Sequence, residues 1–142
     1  MKLQLLLVLA TVLVSVSSDT TCQRHRRTSG NSRSPLSWDI LCDDDGMYLP
    51  MQCTVQTPKW CACYNKEEAI TSPSRKTKSC ECHLKKDEAL KNSASGPCDV
   101  PECEKSGKFM KRQCCGNTCH CVDPDTGVRK SDATGDSRLR CP

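Results

Sequence analysis

Gly107-Lys108-Phe109-Met110-Lys111-Arg112-Gln113-Cys114, followed by Cys119-His120-Cys121-Val122-Asp123, decides how this chain is read. The earlier stretch Gly46-Met47-Tyr48-Leu49-Pro50-Met51-Gln52-Cys53, followed by Cys61-Ala62-Cys63-Tyr64, has the same grammar. Each has a glycine, an aromatic residue two places on, Gln-Cys to close the segment, and then Cys-x-Cys. Cys22, Cys42, Cys53, Cys61, Cys63 and Cys80 can be set against Cys82, Cys103, Cys114, Cys119, Cys121 and Cys141. The offsets are 60, 61, 61, 58, 58 and 61 residues. Only the short loop before Cys-x-Cys changes length appreciably. Agreement at so many positions marks an internal repeat. Two tandem domains are expected, 22–80 and 82–141, with only Glu81 between them. Half-cystines on both sides of Glu81 would limit the rotation of one domain against the other.

Working outward, the chain begins with Lys2, an apolar run from Leu3 to Val16, and small residues ending at Ser18. A positive start and an apolar segment too short to span a bilayer comfortably read as a secretory signal peptide, 1–18. No later segment is apolar enough to enter a membrane, so a secreted, extracellular product without membrane insertion is expected. The 142 residues hold 14 cysteines but only one Phe, two Trp and two Tyr. Such a chain cannot build one sizeable apolar core, and small secreted domains compensate with disulfides. The even cysteine count favours complete pairing. The net charge of +4 comes from well-mixed charges and does not suggest nucleic acid. No N-x-[ST] acceptor for N-glycosylation is present.

Regular structure is expected to be sparse. His83–Asn92, with Leu84, Ala89 and Leu90 among Lys and Glu, reads as a short helix closed by Gly96-Pro97. The matching Gln23–Thr28 is more basic and less clearly helical. Met47–Cys53 and Lys108–Cys114 alternate as short strands, with the Cys-x-Cys segments as their partners. Pro50 places the first of these at a sheet edge. The tails before Cys80 and Cys141 read as loops.

The repeat leaves two extra cysteines, Cys98 and Cys115, both in the second domain and natural partners for each other. Adjacent Cys114 and Cys115 cannot reach relaxed disulfide geometry. Zinc sites favour Cys-x2-4-Cys or His-x3-5-His spacing and reducing compartments, so Cys-x-Cys near His120 and His83 is not read as a metal site. No cofactor is implied. Complete pairing removes any thiolate nucleophile, and three scattered histidines carry no triad signature, so the chain is not read as an enzyme. Arg24-His25-Arg26-Arg27 reads first as the solvated start of a domain, and second as a contact for an acidic surface such as heparin. Trp38 and Trp60 read as core residues before contact residues.

The order of half-cystines, with Val100-Pro101-Glu102-Cys103, Gly107-Lys108-Phe109, Gln113-Cys114 and Cys119-His120-Cys121-Val122-Asp123, resembles the thyroglobulin type-1 domain. The resemblance covers essentially everything after the signal peptide. The two-domain layout with Cys80-Glu81-Cys82 looks most like the thyropin-like proteins of spider venom. It implies a small disulfide-rich α+β fold, each domain with a short helix and a small antiparallel sheet. It also implies sequential pairing: Cys22–Cys42, Cys53–Cys61, Cys63–Cys80, Cys82–Cys103, Cys114–Cys119 and Cys121–Cys141, leaving Cys98–Cys115 by count. The family's Cys-Trp-Cys-Val has Ala62 in place of its Trp in one domain and His120 in the other. Asp39-Ile40-Leu41-Cys42 stands where Val-Pro-x-Cys is usual.

What the resemblance implies for function is a monomeric inhibitor of papain-like, cathepsin-type cysteine proteases, with loops wedged across the active-site cleft. The loops at the matching positions are Ser95-Gly96-Pro97 and Gly116-Asn117-Thr118 in the second domain. In the first they are Ser34-Pro35-Leu36 and Thr57-Pro58-Lys59-Trp60. Turn chemistry alone would also account for their Gly, Pro, Asn and Ser content. The alternatives are a non-inhibitory extracellular binding or matrix module and a channel- or receptor-directed toxin.

Overall fold

The computed structural model describes residues 18–30, 36–136 and 138–142. The expected signal peptide falls outside these residues except for Ser18, and so do Ser34 and Pro35 of the expected contact loops. The elements run α1 (Thr21–Ser29), β1 (Trp38–Asp39), β2 (Met51–Thr54), β3 (Cys61–Cys63), α2 (Glu81–Lys91), a 3-10 turn (Pro97–Asp99), β4 (Arg112–Cys115) and β5 (Thr118–Cys121). The molecule is a small disulfide-rich α+β protein with two helices and two small antiparallel sheets.

The two helices are where sequence pattern and structure differ most. α1 is a full helix although its basic sequence gives little sign of one. A capping box supplies what propensity does not: the Gln23 N–H donates to Thr20 Oγ1 at 3.2 Å, and the Thr20 N–H to Gln23 Oε1 at 3.0 Å. Buried Cys22 then bonds Cys42, and the Thr20 hydroxyl donates to the Gly46 carbonyl. Tertiary anchoring therefore stabilises this short helix. α2 begins two residues earlier than its apolar pattern indicates. Glu81 is its first residue, so the one-residue linker is part of the helix. Lys91 closes α2 and pairs with Asp87 one turn back at 3.0 Å.

β2 lies between β1 and β3, with Trp38 opposite Thr54 and Cys53 opposite Cys61. Pro50 precedes β2, so the edge placement inferred from it does not hold: β2 is the central strand. The strands are also shorter than the alternation indicates. Gly46 and Gly107 have φ of +79° and +87°, and each turns the chain before the strand begins. Tyr48 and Phe109 then make only single bridges, to Cys42 and Cys103.

The hydrogen bonds of the first half recur in the second. Gly46 N–H donates to Asp43 O at 3.0 Å and Gly107 N–H to Glu104 O at 2.9 Å. Leu49 N–H reaches Leu41 O, and Met110 N–H reaches Glu102 O, both at 3.0 Å. The largest such correspondence is a glutamine clamp. Gln52 Oε1 accepts from Leu41 N–H, while its Nε2 donates to Leu41 O and Leu49 O, each at 2.8 Å. Gln113 bonds Glu102 N–H, Glu102 O and Met110 O at 2.7–2.8 Å in the same pattern. Each hairpin is also closed by a disulfide between directly opposed residues, Cys53–Cys61 and Cys114–Cys119, with Cα atoms 4.1 and 4.0 Å apart. That is the close spacing of a non-hydrogen-bonded pair.

Two small cores sit behind the sheets. Cys22, Ile40 and Tyr48 form one, with Trp38, Cys42 and Tyr64 packed against it. Cys82, Phe109 and Val122 form the other. A basic side chain lies over the aromatic in each: the His25 ring is 5.9 Å from that of Tyr48, and Lys85 Nζ is 5.2 Å from the centre of Phe109. At the junction, Lys78 and Ser79 N–H groups both donate to Ser106 O. A Cβ on Gly107 would overlap the Ser79 carbonyl oxygen, so only glycine permits this approach. Asn65 donates to Asp87 at 3.0 Å, and Leu84 of α2 lines a cavity of about 230 Å³ with Tyr48 and Tyr64.

Gln52 is wholly buried, whereas Gln113 is partly exposed. Gln52→Ala should therefore lower stability by about 3 kcal/mol and Gln113→Ala by about 1 kcal/mol, because water can reach the groups the latter frees. Urea unfolding with the disulfides intact measures both. Asp43 and Asp123 are held below the ordinary carboxylate value. For Asp43 the main cause is the hydrogen bond from Lys66, then the Met47 N–H; for Asp123 it is Lys130, then the Thr126 N–H. Depressed carboxyls stabilise the fold above their unfolded-state value and lose that contribution as pH falls through the folded one. The melting-temperature gap between the native protein and a D43N/D123N variant should thus be full at neutral pH and close as pH falls below about 4.

Candidate functional site: the loop ends of the two sheets

The loops expected to contact a partner lie at one end of each sheet. In the second half, Gly116 and Asn117 are the two-residue turn between β4 and β5, since Cys115 pairs with Thr118. Gly116 has φ +57° and Asn117 stays at negative φ, the pattern of a hairpin turn with glycine first. Thr118, expected in the contact loop, therefore lies outside the turn and starts β5.

Ser95, Gly96 and Pro97 approach the same end by a tight route. Gly96 N–H donates to Asp99 Oδ2 at 2.7 Å, and Pro97 opens the 3-10 turn. Cys98 of that turn is bonded to Cys115, which stands one residue before the hairpin tip. The seven bonded pairs are Cys22–Cys42, Cys53–Cys61, Cys63–Cys80, Cys82–Cys103, Cys98–Cys115, Cys114–Cys119 and Cys121–Cys141.

A third segment reaches this end that sequence reasoning missed. Thr134 and Cys119 exchange backbone hydrogen bonds at 2.8 Å, and a Cβ on Gly135 would stand 3.8 Å from the Asn117 carbonyl oxygen. Arg112, Cys114, Gly116, Asn117, Cys119 and Gly135 line a hollow of about 520 Å³ between the hairpin and this returning segment. The tail has no alternation that would give it away. Its one signal is Thr134-Gly135, 60 residues or so after Ser74, which pairs with Cys61 in the same way.

The first half reaches its end by different chemistry. Thr57, Pro58, Lys59 and Trp60 form the exposed β2–β3 connection, with a cis Thr57–Pro58 peptide. Leu36 lies alongside, where Ser37 accepts from Val55 N–H at 2.9 Å and donates its own N–H to Gln56 at 3.1 Å. Trp60 exchanges two hydrogen bonds with Thr54, and Trp38 faces Thr54 from the other side. Buried Thr54 is thus bracketed by both tryptophans, and Trp60 remains 38% exposed. Cys115 occupies the place of Thr54 in the second half. There the Cys98–Cys115 bond joins the approaching segment to the hairpin, as the tryptophan bracket does in the first.

His120 lies on β5 opposite Gln113 and faces a hollow of about 210 Å³ with Cys98, Asp99, Pro101 and Phe109. Arg129 donates to its Nδ1 at 3.1 Å, which places the ring proton on Nε2. Burial, then the charge of Arg129, holds this imidazole below its ordinary value. All cysteines are bonded, and no group of His, Cys, Asp and Glu among the described residues is arranged to hold a metal ion. What the loop ends offer is rigid surface.

Known proteins share this frame. The family model of the thyroglobulin type-1 repeat matches residues 80–141. U20-hexatoxin-Hi1a of Hadronyche infensa is 34% identical over 142 residues, covering 96% of this chain and 97% of the toxin. U24-ctenitoxin-Pn1a of Phoneutria nigriventer is 33% identical over 105 residues, 72% of this chain and 80% of that one. Tumor-associated calcium signal transducer 2 of Rattus norvegicus is 29% identical over 140 residues, 98% of this chain and 41% of that protein. The chain belongs to the thyroglobulin type-1 family, among relatives that include venom toxins.

Replacing Cys98 and Cys115 together by serine should leave the other six bonds and the fold intact. The 17-residue separation they close implies a loss of about 3 kcal/mol. Amide exchange should quicken at 95–98 and 115–117 and stay unchanged in β2 and β3.

Proposed function

We propose that this chain is a secreted inhibitor of papain-like cysteine proteases, built from two tandem thyroglobulin type-1 domains at 22–80 and 82–141. It acts as a monomer and has no catalytic activity of its own. Residues 1–18 are its signal peptide and are removed on export. The recurrence of the turn and clamp at an offset of 61, and of the hairpin disulfide at offsets of 61 and 58, supports the tandem reading. The wealth of disulfides and the venom relatives support secretion.

The observation that carries the inhibitory reading is the Cys98–Cys115 bond, which ties the segment beginning at Gly96-Pro97 to the base of the Gly116-Asn117 turn. A projection fixed by bonds at its base loses little conformational entropy on entering a cleft, so its contacts convert to affinity efficiently. Two small residues at the tip let the backbone approach a cysteine nucleophile. The same bonds hold that backbone out of the extended geometry that cleavage requires. Ser95 and Thr118 flank this end. The inhibitory contact is assigned to the second domain, whose residues carry the family match. The corresponding end of the first domain, with Leu36 and Thr57 to Trp60, has a different character.

The test is inhibition of papain and a panel of cathepsins by the intact protein. Nanomolar inhibition, lost on reduction and weakened about tenfold or more by Asn117→Arg, is the expected result. Absence of inhibition across cysteine, aspartic and metalloprotease panels would overturn the proposal.

A further inference from the structure

The loop end of the first half is exposed, apolar and cationic, a combination the second half lacks. Leu36 is 43% exposed, Val55 59% and Trp60 38%, with Pro58 between the latter two. Val55 lies two residues beyond Cys53 and so shares the sheet face of the Cys53–Cys61 bond. Trp60 sits opposite Thr54, on the other face. Apolar groups therefore surround the hairpin end on both sides. Lys59 projects from the same connection. The exposed Arg75-Lys76 turn is held beside it, because Ser74 and Cys61 exchange hydrogen bonds at 2.9 and 3.0 Å.

None of these three cations has an ion pair among the described residues. Residues 54–60 and 71–80 contain no Asp or Glu. The closest acid along β1 is Asp39, one position inward of Trp38. The other exposed apolar group of this half, Leu41, Met47 and Leu49, adjoins Asp43, Asp44 and Asp45 instead. The loop end of the second half carries Asp99, Asp132 and Asp136 and no aromatic residue.

We propose that the end formed by Leu36, Val55, Pro58 and Trp60, with Lys59, Arg75 and Lys76, is a peripheral docking site for an anionic lipid surface. A groove in a protein partner would select apolar side chains on one face of the hairpin. A fluid headgroup layer accepts them on both. Trp60, apolar in body with a polar N–H, suits that boundary layer. Unpaired Lys and Arg set back from an apolar tip complement an anionic leaflet, each contributing independently. The tip seats among the headgroups and spans nothing. The assignment stands apart from protease inhibition and would give the first half a task of its own: holding the protein at a cell surface.

The experiment uses the protein recovered from a secreting host, its amino terminus sequenced. It is mixed with vesicles of phosphatidylcholine alone or of phosphatidylcholine with phosphatidylserine. Co-sedimentation with the anionic vesicles only, a blue shift of tryptophan emission, and loss of both in high salt are expected. K59Q/R75Q/K76Q should reduce partitioning on the order of a hundredfold. V55N/W60S should reduce it about tenfold. The three cations are exposed and unpaired, so the charge variant keeps the fold, which near-ultraviolet circular dichroism verifies. Absence of binding to anionic vesicles at low salt would overturn the proposal, as would binding undiminished in both variants. Retention on heparin or on an acidic protein without vesicle binding would also overturn it, moving these cations to a glycan or protein partner.

Discussion

A glutamine side-chain amide holds this architecture together. In each half one glutamine side chain uses its oxygen and both N–H groups on the backbone of two neighbouring segments. It joins the stretch before the second cysteine to the turn that leads into the hairpin. An irregular segment packed against a sheet would otherwise leave backbone donors and acceptors stranded, since no strand continues there to pair them. The glutamine completes the pairing from within the neighbouring strand. The positive-φ glycine turn, the aromatic residue two places on and the cross-strand disulfide all lie within a few residues of that amide. They form one constraint with several parts, and apolar burial contributes less beside it: among the described residues, Ile40, Tyr48 and Phe109 are the largest fully enclosed side chains of the two cores, with Trp38 and Tyr64 packed against the first.

This explains what could be read from the residues and what could not. Gln52 and Gln113, Gly46 and Gly107, Tyr48 and Phe109 stand out in the sequence because the frame needs those types at those places. The strand ends did not, because a short alternating run looks alike whether it pairs along its length or, as at Tyr48, at one residue. Pro50 misled for a related reason: it lies just before the central strand, where its missing N–H is not required. α1 was hidden by its arginines, since its stability comes from Thr20, Gln23 and a disulfide rather than from its own composition. At the candidate site, the loops flanking each hairpin were legible from cysteine spacing. The returning segment at Thr134 was not, because its partner, Cys119, is reached only through three-dimensional packing.

The halves also show how one frame carries two surfaces. At matching places the chain uses Trp38 and Trp60 around Thr54 in one half, and Cys98–Cys115 in the other. Both fasten an approaching segment to a hairpin. One does so by backbone pairing of Trp38 and Trp60 with Thr54 and leaves Trp60 exposed at the end. The other does so by a covalent bond and leaves a small, bare tip. Salt bridges are rearranged in a similar way. Asp43 of the first turn meets Lys66 at 2.6 Å, whereas Lys108 of the matching turn meets Asp125 at 2.8 Å, so the charges are exchanged while the link survives.

The Gly116-Asn117 turn has a consequence for how such a chain can change over generations. Its two residues lie outside the glutamine clamp and outside both small cores, and their neighbours are already joined by Cys114–Cys119 and Cys98–Cys115. Provided glycine keeps the first place, the second can vary in size and charge without disturbing any contact that folds the protein. Residues that fold the chain and residues of the exposed turn are thus nearly separate sets. A lineage of secreted proteins can retarget such a scaffold by single substitutions, without passing through unstable intermediates.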